Sequence, residues 1–212
     1  MNAWRKRFWM APMAAAVFLL AGCSQPAPKV NDDAEAKKEP AGPAESVTAK
    51  TALWPMYTSA RNWTKDFVVL RLASKEVPGF KNEAGKAAMW EATFASPGQH
   101  EYRVYTNSIA AHPPDIYKGV SIGRAIPWAG VTRDVMPVQL SEFNVDSDAA
   151  YATATADAEA WLKKNPGKPL SKFELGNAFR FQAPVWYFMW GDKKLGYTAF
   201  VNATTGKIVK AK

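Results

Sequence analysis

The chain of 212 residues has a single cysteine, Cys23, so no disulfide can form within it, and stability must come from packing. Histidine is almost as scarce. His100 and His112 are the only two, and neither their spacing nor that of Asp115 matches a metal-ligand pattern. Long hydrophobic runs are also missing. The apolar run that precedes the cysteine, Phe8 to Gly22, covers 15 residues without a charge and as a helix reaches only about 22 Å, short of the ~30 Å bilayer core. A permanent transmembrane span is therefore not expected there. "HPPDIYKGVSIGRAIPWAG" contains Gly119 and Gly123 but neither the Lys-Ser/Thr of a phosphate-binding loop nor a dinucleotide fingerprint. No Gly-x-Ser-x-Gly elbow occurs, which leaves a serine nucleophile without its usual setting. Among the carboxylates, Asp146 and Asp148 are explained by a helix start. Glu174 and Asp192 lie among lysines, the wrong surroundings for a glycosidase acid. No catalytic residue, cofactor or metal is expected.

What is present begins with Arg5, Lys6 and Arg7, followed by the uncharged run, which is the plan of an export signal. Leu20, Ala21, Gly22 and Cys23 stand in the order that resembles a bacterial lipobox. The resemblance implies cleavage between Gly22 and Cys23 and a diacylglyceryl group on the Cys23 thiol, which would tether the chain to a membrane. Ser24, in place of an aspartate, would then favour the outer membrane over the inner. Nucleic acid is disfavoured as a partner by the export signal.

Residues 23–50 follow as a linker. From Ser24 to Lys50 there is no aromatic residue, and the only large aliphatics are Val30 and Val47, among four prolines. Such a composition has too little apolar surface to offset backbone ordering. The remaining 162 residues hold seven tryptophans and carry a net charge of +6. Residues 163–212 contribute ten Lys or Arg against Glu174 and Asp192. That basic end is read either as a solvated lysine-rich surface or as a face for anionic lipid or an acidic partner.

Within this region the pattern predicts an α+β fold. Asp146, Ser147 and Asp148 offer N-cap oxygens to "AAYATATADAEAWLKKN", and Asn165-Pro166-Gly167 ends that helix. "LSKFELGN", "PVWYFMWGD", "LGYTAFVN" and "TTGKIVKA" then read as an antiparallel meander, with Pro184 at an edge, bulge or strand start. An earlier helix over about 51–64 and the runs "FVVLRLAS", "AAMWEATFAS" and "EYRVYTNS" repeat this order. Trp63, Trp90 and Tyr102 recur as Trp161, Trp186 and Tyr197 at offsets of 95 to 98 residues, which points to an internal duplication.

Two helix-plus-antiparallel-meander units, 51–144 and 145–212, packed as one globular region, follow from this reading. The segment from Ile109 to Val145 is inserted in the first. The arrangement, carried by "PVWYFMW", "GYTAFVNATTGK" and the helix before them, resembles the PepSY domain and, more loosely, β-lactamase inhibitory proteins. It implies interaction rather than turnover, with an envelope protein or peptidase as partner. Trp186, Tyr187 and Trp190, in the run Trp186 to Trp190, are candidate contacts, although strand alternation turns at least two of those five residues inward. Oligomeric state is left open. The competing reading is a hydrolase of envelope polymer, which would gather His112, Asp115 and Asp134 in one cleft.

Overall fold

In a computed structural model the described residues are 45–210. The expected signal at 1–22, the Gly22–Cys23 junction and most of the linker lie outside them. The linker's last residues do not: Val47 exchanges backbone hydrogen bonds with Ala87, 3.0 Å in both directions. Helix α1 then begins at Ala49 and runs to Trp63. Among the described residues no helix is long and apolar enough to cross a membrane.

Helix α1 buries Ala49, Ala52, Leu53, Met56 and Ala60, a stripe at the helical period. Pro55 sits within it and supplies no N–H, but the carbonyl this leaves free is that of exposed Thr51. Helix α2, Ser147–Lys164, buries Ser147, Ala150, Ala154 and Ala158, and its small side chains let the backbone lie close to the sheet.

The two N-termini meet. Ser147 Oγ accepts from Ala49 N at 3.0 Å, and Asp146 Oδ1 accepts from Lys50 N at 3.0 Å as well as from Ser147 N at 2.7 Å. Thr48, the residue preceding α1, makes no side-chain cap of its own. Orphan N–H groups of α1 are thus served by side chains that begin α2. The sequence reading gave Asp146 and Ser147 to α2 alone. Gly85, at φ +72°, makes this junction possible, because a Cβ there would stand 2.2 Å from the Ser147 carbonyl oxygen.

Eight strands form one sheet. β1 (Val68–Lys75), β2 (Met89–Ser96) and β3 (Glu101–Ser108) are an antiparallel meander, and β4 (Gly119–Ile122) and β5 (Ile126–Pro127) both pair with the outer edge of β3. β6 (Leu170–Gly176), β7 (Val185–Trp190) and β8 (Tyr197–Asn202) are the second meander. β1 and β6 pair antiparallel through Leu72 and Leu175, giving the order β4-β3-β2-β1-β6-β7-β8. The two helix-plus-meander sets therefore join edge to edge in a continuous sheet. "TTGKIV", expected as a last strand, is a turn followed by a single bridge from Ile208 to Val201.

Both helices contribute to one core cluster on a single face of the sheet, with Trp90, Phe94, Phe173, Trp186 and Phe188 at its centre. Trp90 donates its indole N–H to the Val47 carbonyl at 3.0 Å, and Trp186 donates to the Val145 carbonyl at 2.9 Å. Each bond ties the second strand of a meander to the valine two residues ahead of its helix.

Candidate functional site

The opposite face carries no helix, and two β-bulges decide what it displays. Pairing slips between Val69 and Arg71 in β1 and between Leu170 and Lys172 in β6. Across the first bulge Val69 and Leu72 both remain in the core, while Leu70 and Arg71 both line a cavity on the other side. This is how a bulge re-aims a side chain.

That cavity has a volume of about 280 Å³. Its floor is apolar and comes from Leu70, Val185, Tyr187 and Phe200. Phe200 touches both Tyr187 and Phe181, with ring centroids 5.4 and 5.3 Å apart. One wall is the segment after β6. It is held against residues 133–137 by Met136 N donating to the Asn177 carbonyl at 3.0 Å, Phe179 N to the Arg133 carbonyl at 2.8 Å, and Asn177 Nδ2 to the Pro137 carbonyl at 3.0 Å.

Charge is arranged in two ways around this floor. Arg71 donates to Glu174 Oε2, and Lys172 lies 3.0 Å from Glu174 Oε1, so both oxygens of that carboxylate are engaged by cations. Lys172 also stands 5.6 Å from the Tyr187 ring centre. Arg180 and Arg133 are different. Each is stacked on phenylalanine, Arg180 at 4.8 Å from Phe181 and 5.6 Å from Phe200, Arg133 at 4.6 Å from Phe179. Neither has a carboxylate within ion-pair distance among the described residues. Stacking fixes a guanidinium in place without consuming its in-plane donors. Phe179 is itself 63% exposed. The site therefore presents oriented cationic donors at the rim of an apolar trough.

Sequence-based candidates fall elsewhere in part. Trp186 is 0% exposed and Trp190 is 3% exposed, so the expectation that they form a contact surface is corrected. Even-numbered positions of β7 turn toward the helices, and Trp190 packs there against Tyr151 and Tyr197. Tyr187, on the other parity, is half-buried on the helix-free face and lines the groove. His112 and Asp115 sit in a small exposed loop closed by paired backbone bonds between His112 and Ile116, 2.8 and 3.0 Å. Asp134 lines the groove. Among the described residues no cluster of three metal-ligating side chains occurs. Arg71, Arg180, Phe181 and Phe200 escaped sequence reasoning because they come from separate segments. The alternation of Phe179, Arg180 and Phe181 was the one local signal for them.

Fold and groove together define a two-helix, single-sheet α+β protein with a cationic, aromatic-lined trough on its uncovered face. No family model matches the chain, and no curated protein matches it. Among solved structures it is similar to a candidate lipoprotein of Clostridium difficile 630, at 10% identity and a TM-score of 0.48 over 76% of this chain and 91% of that one.

Proposed function

We propose that the protein is a lipid-anchored binding module of the bacterial envelope, tethered through Cys23 and non-catalytic, that holds an envelope protein or peptidase against the helix-free face of its sheet. The observation that carries the reading is Arg180, a guanidinium with no ion pair among the described residues, stacked on Phe181 and Phe200 beside an apolar cavity. A polypeptide partner would supply a carboxylate for the arginine and an aliphatic side chain for the trough.

A PepSY-like duplication is supported by the repeated element order and by the matching indole bonds of Trp90 and Trp186. The order Leu-Ala-Gly-Cys supports acylation, and Ser24 supports delivery to the outer membrane, facing the periplasm. A hydrolase of envelope polymer is the less favoured reading. Asp134 and Glu174 do line one cavity, but both Glu174 oxygens are taken by Arg71 and Lys172.

The test is a photo-crosslinking residue at position 179 in the native host, with one at Trp54 as control. Trp54 is 69% exposed on α1. Discrete adducts from position 179, absent from position 54 and lost with Arg180→Glu, are expected. No adducts, or the same adducts from both positions, would overturn the reading. Mass spectrometry of the native protein should find a diacylglyceryl-modified Cys23 at the N-terminus.

A further inference from the structure

The fold brings together cations that the sequence keeps in two segments. Lys163, Lys164 and Lys168 lie at and just beyond the end of α2; Lys193 and Lys194 lie in the turn between β7 and β8. Gly191 N donates to the Pro169 carbonyl at 2.9 Å, and the Trp161 and Tyr197 rings lie 6.0 Å apart, so helix end and hairpin form one end of the molecule. Lys163 pairs with Glu159 at 2.7 Å. Lys164, Lys168, Lys193 and Lys194 have no carboxylate within ion-pair distance among the described residues. The facing loop returns some opposite charge, since Glu76 and Glu83 share a cleft with Lys81 and Lys168. The surplus is therefore at the hairpin and the helix end.

The hairpin tip is built rather than loose. Asp192 Oδ1 accepts from Lys194 N and Leu195 N, both at 2.9 Å, and Gly196 N donates to the Asp192 carbonyl at 2.8 Å. A Cβ at Gly196 would stand 2.3 Å from the carbonyl oxygens of Asp192 and Trp190, so the tight return needs glycine. Those backbone bonds, and then the charge of Lys168, hold the Asp192 carboxyl below its ordinary range. The tip displays Leu195 at 76% exposure, more than any other large hydrophobic residue described. Lysines in the last turn of α2 are explained by the helix dipole. Lys193, Lys194 and a projecting Leu195 are not.

We infer that the β7–β8 hairpin, with the adjoining end of α2, is a docking surface for an anionic lipid bilayer. Lysines flanking one apolar side chain on a convex tip match a medium that is negative at its surface and apolar just beneath. A purely acidic surface would satisfy the lysines but would leave Leu195 in water. The inference does not depend on the groove. It is compatible with a tether, because the described chain begins beside the N-terminus of α2, about 27 Å from the tip along the helix. The 22 residues from Cys23 to Ala44 can span up to about 75 Å.

The test uses the chain from Ser24 onward, which lacks the acyl site and retains the whole described core. Cosedimentation with vesicles of phosphatidylcholine plus phosphatidylglycerol is expected, with weak binding to phosphatidylcholine alone and loss at high salt. Each lysine contributes about fivefold in partitioning, so Lys193→Gln with Lys194→Gln should weaken binding by about twenty-fivefold, with circular dichroism confirming the fold. Since Cys23 is the only cysteine, a polarity-sensitive dye on Leu195→Cys is unique in this chain, and its emission should shift to the blue on anionic vesicles only. Equal binding to both vesicle types, full binding by the double variant, or a dye that stays in water would each overturn the inference.

Discussion

Trp90 and Trp186 meet edge to face at the centre of the sheet, ring centroids 6.3 Å apart and planes at 72°, while each donates its indole N–H to the carbonyl of the valine two residues ahead of a helical N-terminus. Replacing either by phenylalanine would leave a valine carbonyl without its donor and open space in a packed core. Each change should cost about 2 kcal/mol or more. Because the rings touch, the double variant should lose less or more than the sum, by at least about 0.5 kcal/mol in a double-mutant cycle. Equilibrium urea denaturation reads both numbers.

Ser147 is buried and its hydroxyl accepts from Ala49 N, 98 positions earlier. Ser147→Ala should destabilise the protein by about 1 to 2 kcal/mol. The distinguishing measurement is amide hydrogen exchange at Ala49 and Lys50. Protection should fall there, in α1, and not only at the start of α2, where the substitution is made.

Asp66 joins the end of α1 to the β2–β3 turn. Its carboxylate accepts from the Thr64 hydroxyl, from Ser96 Oγ at 2.7 Å and from Gly98 N at 2.6 Å. These bonds, Thr64 first, lower its pKa from 3.8 to about 2. A depressed folded-state value means that the stabilisation is fully present above about pH 4 and disappears as pH falls through about 2. Asp66→Asn should therefore be less stable than the parent near neutrality, and the gap should close between about pH 4 and pH 2. A gap that persists unchanged at the lowest pH would show that the ionised carboxylate is not responsible.

Tyr105 is wholly buried, packed at 5.1 Å and 89° on Phe94, and its hydroxyl has no hydrogen-bond partner among the described residues. Burial pushes the phenol pKa up, with the Arg103 charge opposing. Tyr105→Phe removes an unsatisfied polar atom and keeps the ring, so a gain of up to about 1 kcal/mol is expected. Thermal unfolding should shift upward; a clear loss would mean the hydroxyl is satisfied by water.

Much of the fold was written locally. Asp146 and the alanine-rich run mark α2 to within a residue or two, and Pro184 stands immediately ahead of β7, where it gives up no ladder donor. Apolar and aromatic runs bounded by turn residues locate β1, β2, β3, β6, β7 and β8. What alternation does not encode is which parity of a strand a helix will cover. Every residue of β7 from Val185 to Trp190 is large and apolar or aromatic, so nothing in "VWYFMW" separates the buried Trp186 and Trp190 from the groove-lining Tyr187. The pairing of β1 with β6 depends on contacts about 100 residues apart, beyond the reach of local patterning, and the two bulges, each between neighbouring strands of one meander, leave no mark in the alternation. The groove inherits that difficulty, because Arg71, Asp134, Glu174, Arg180 and Phe200 converge only once the sheet is complete.

The shared cap at Ala49, Lys50, Asp146 and Ser147 bears on the order in which the molecule comes into being. A ribosome releases α1 well before Asp146, so the first meander must wait, its leading turn frayed, until the second arrives. Maturation should then be a single late event rather than two successive ones, and a nascent chain halted short of residue 146 should remain an easy target for proteases.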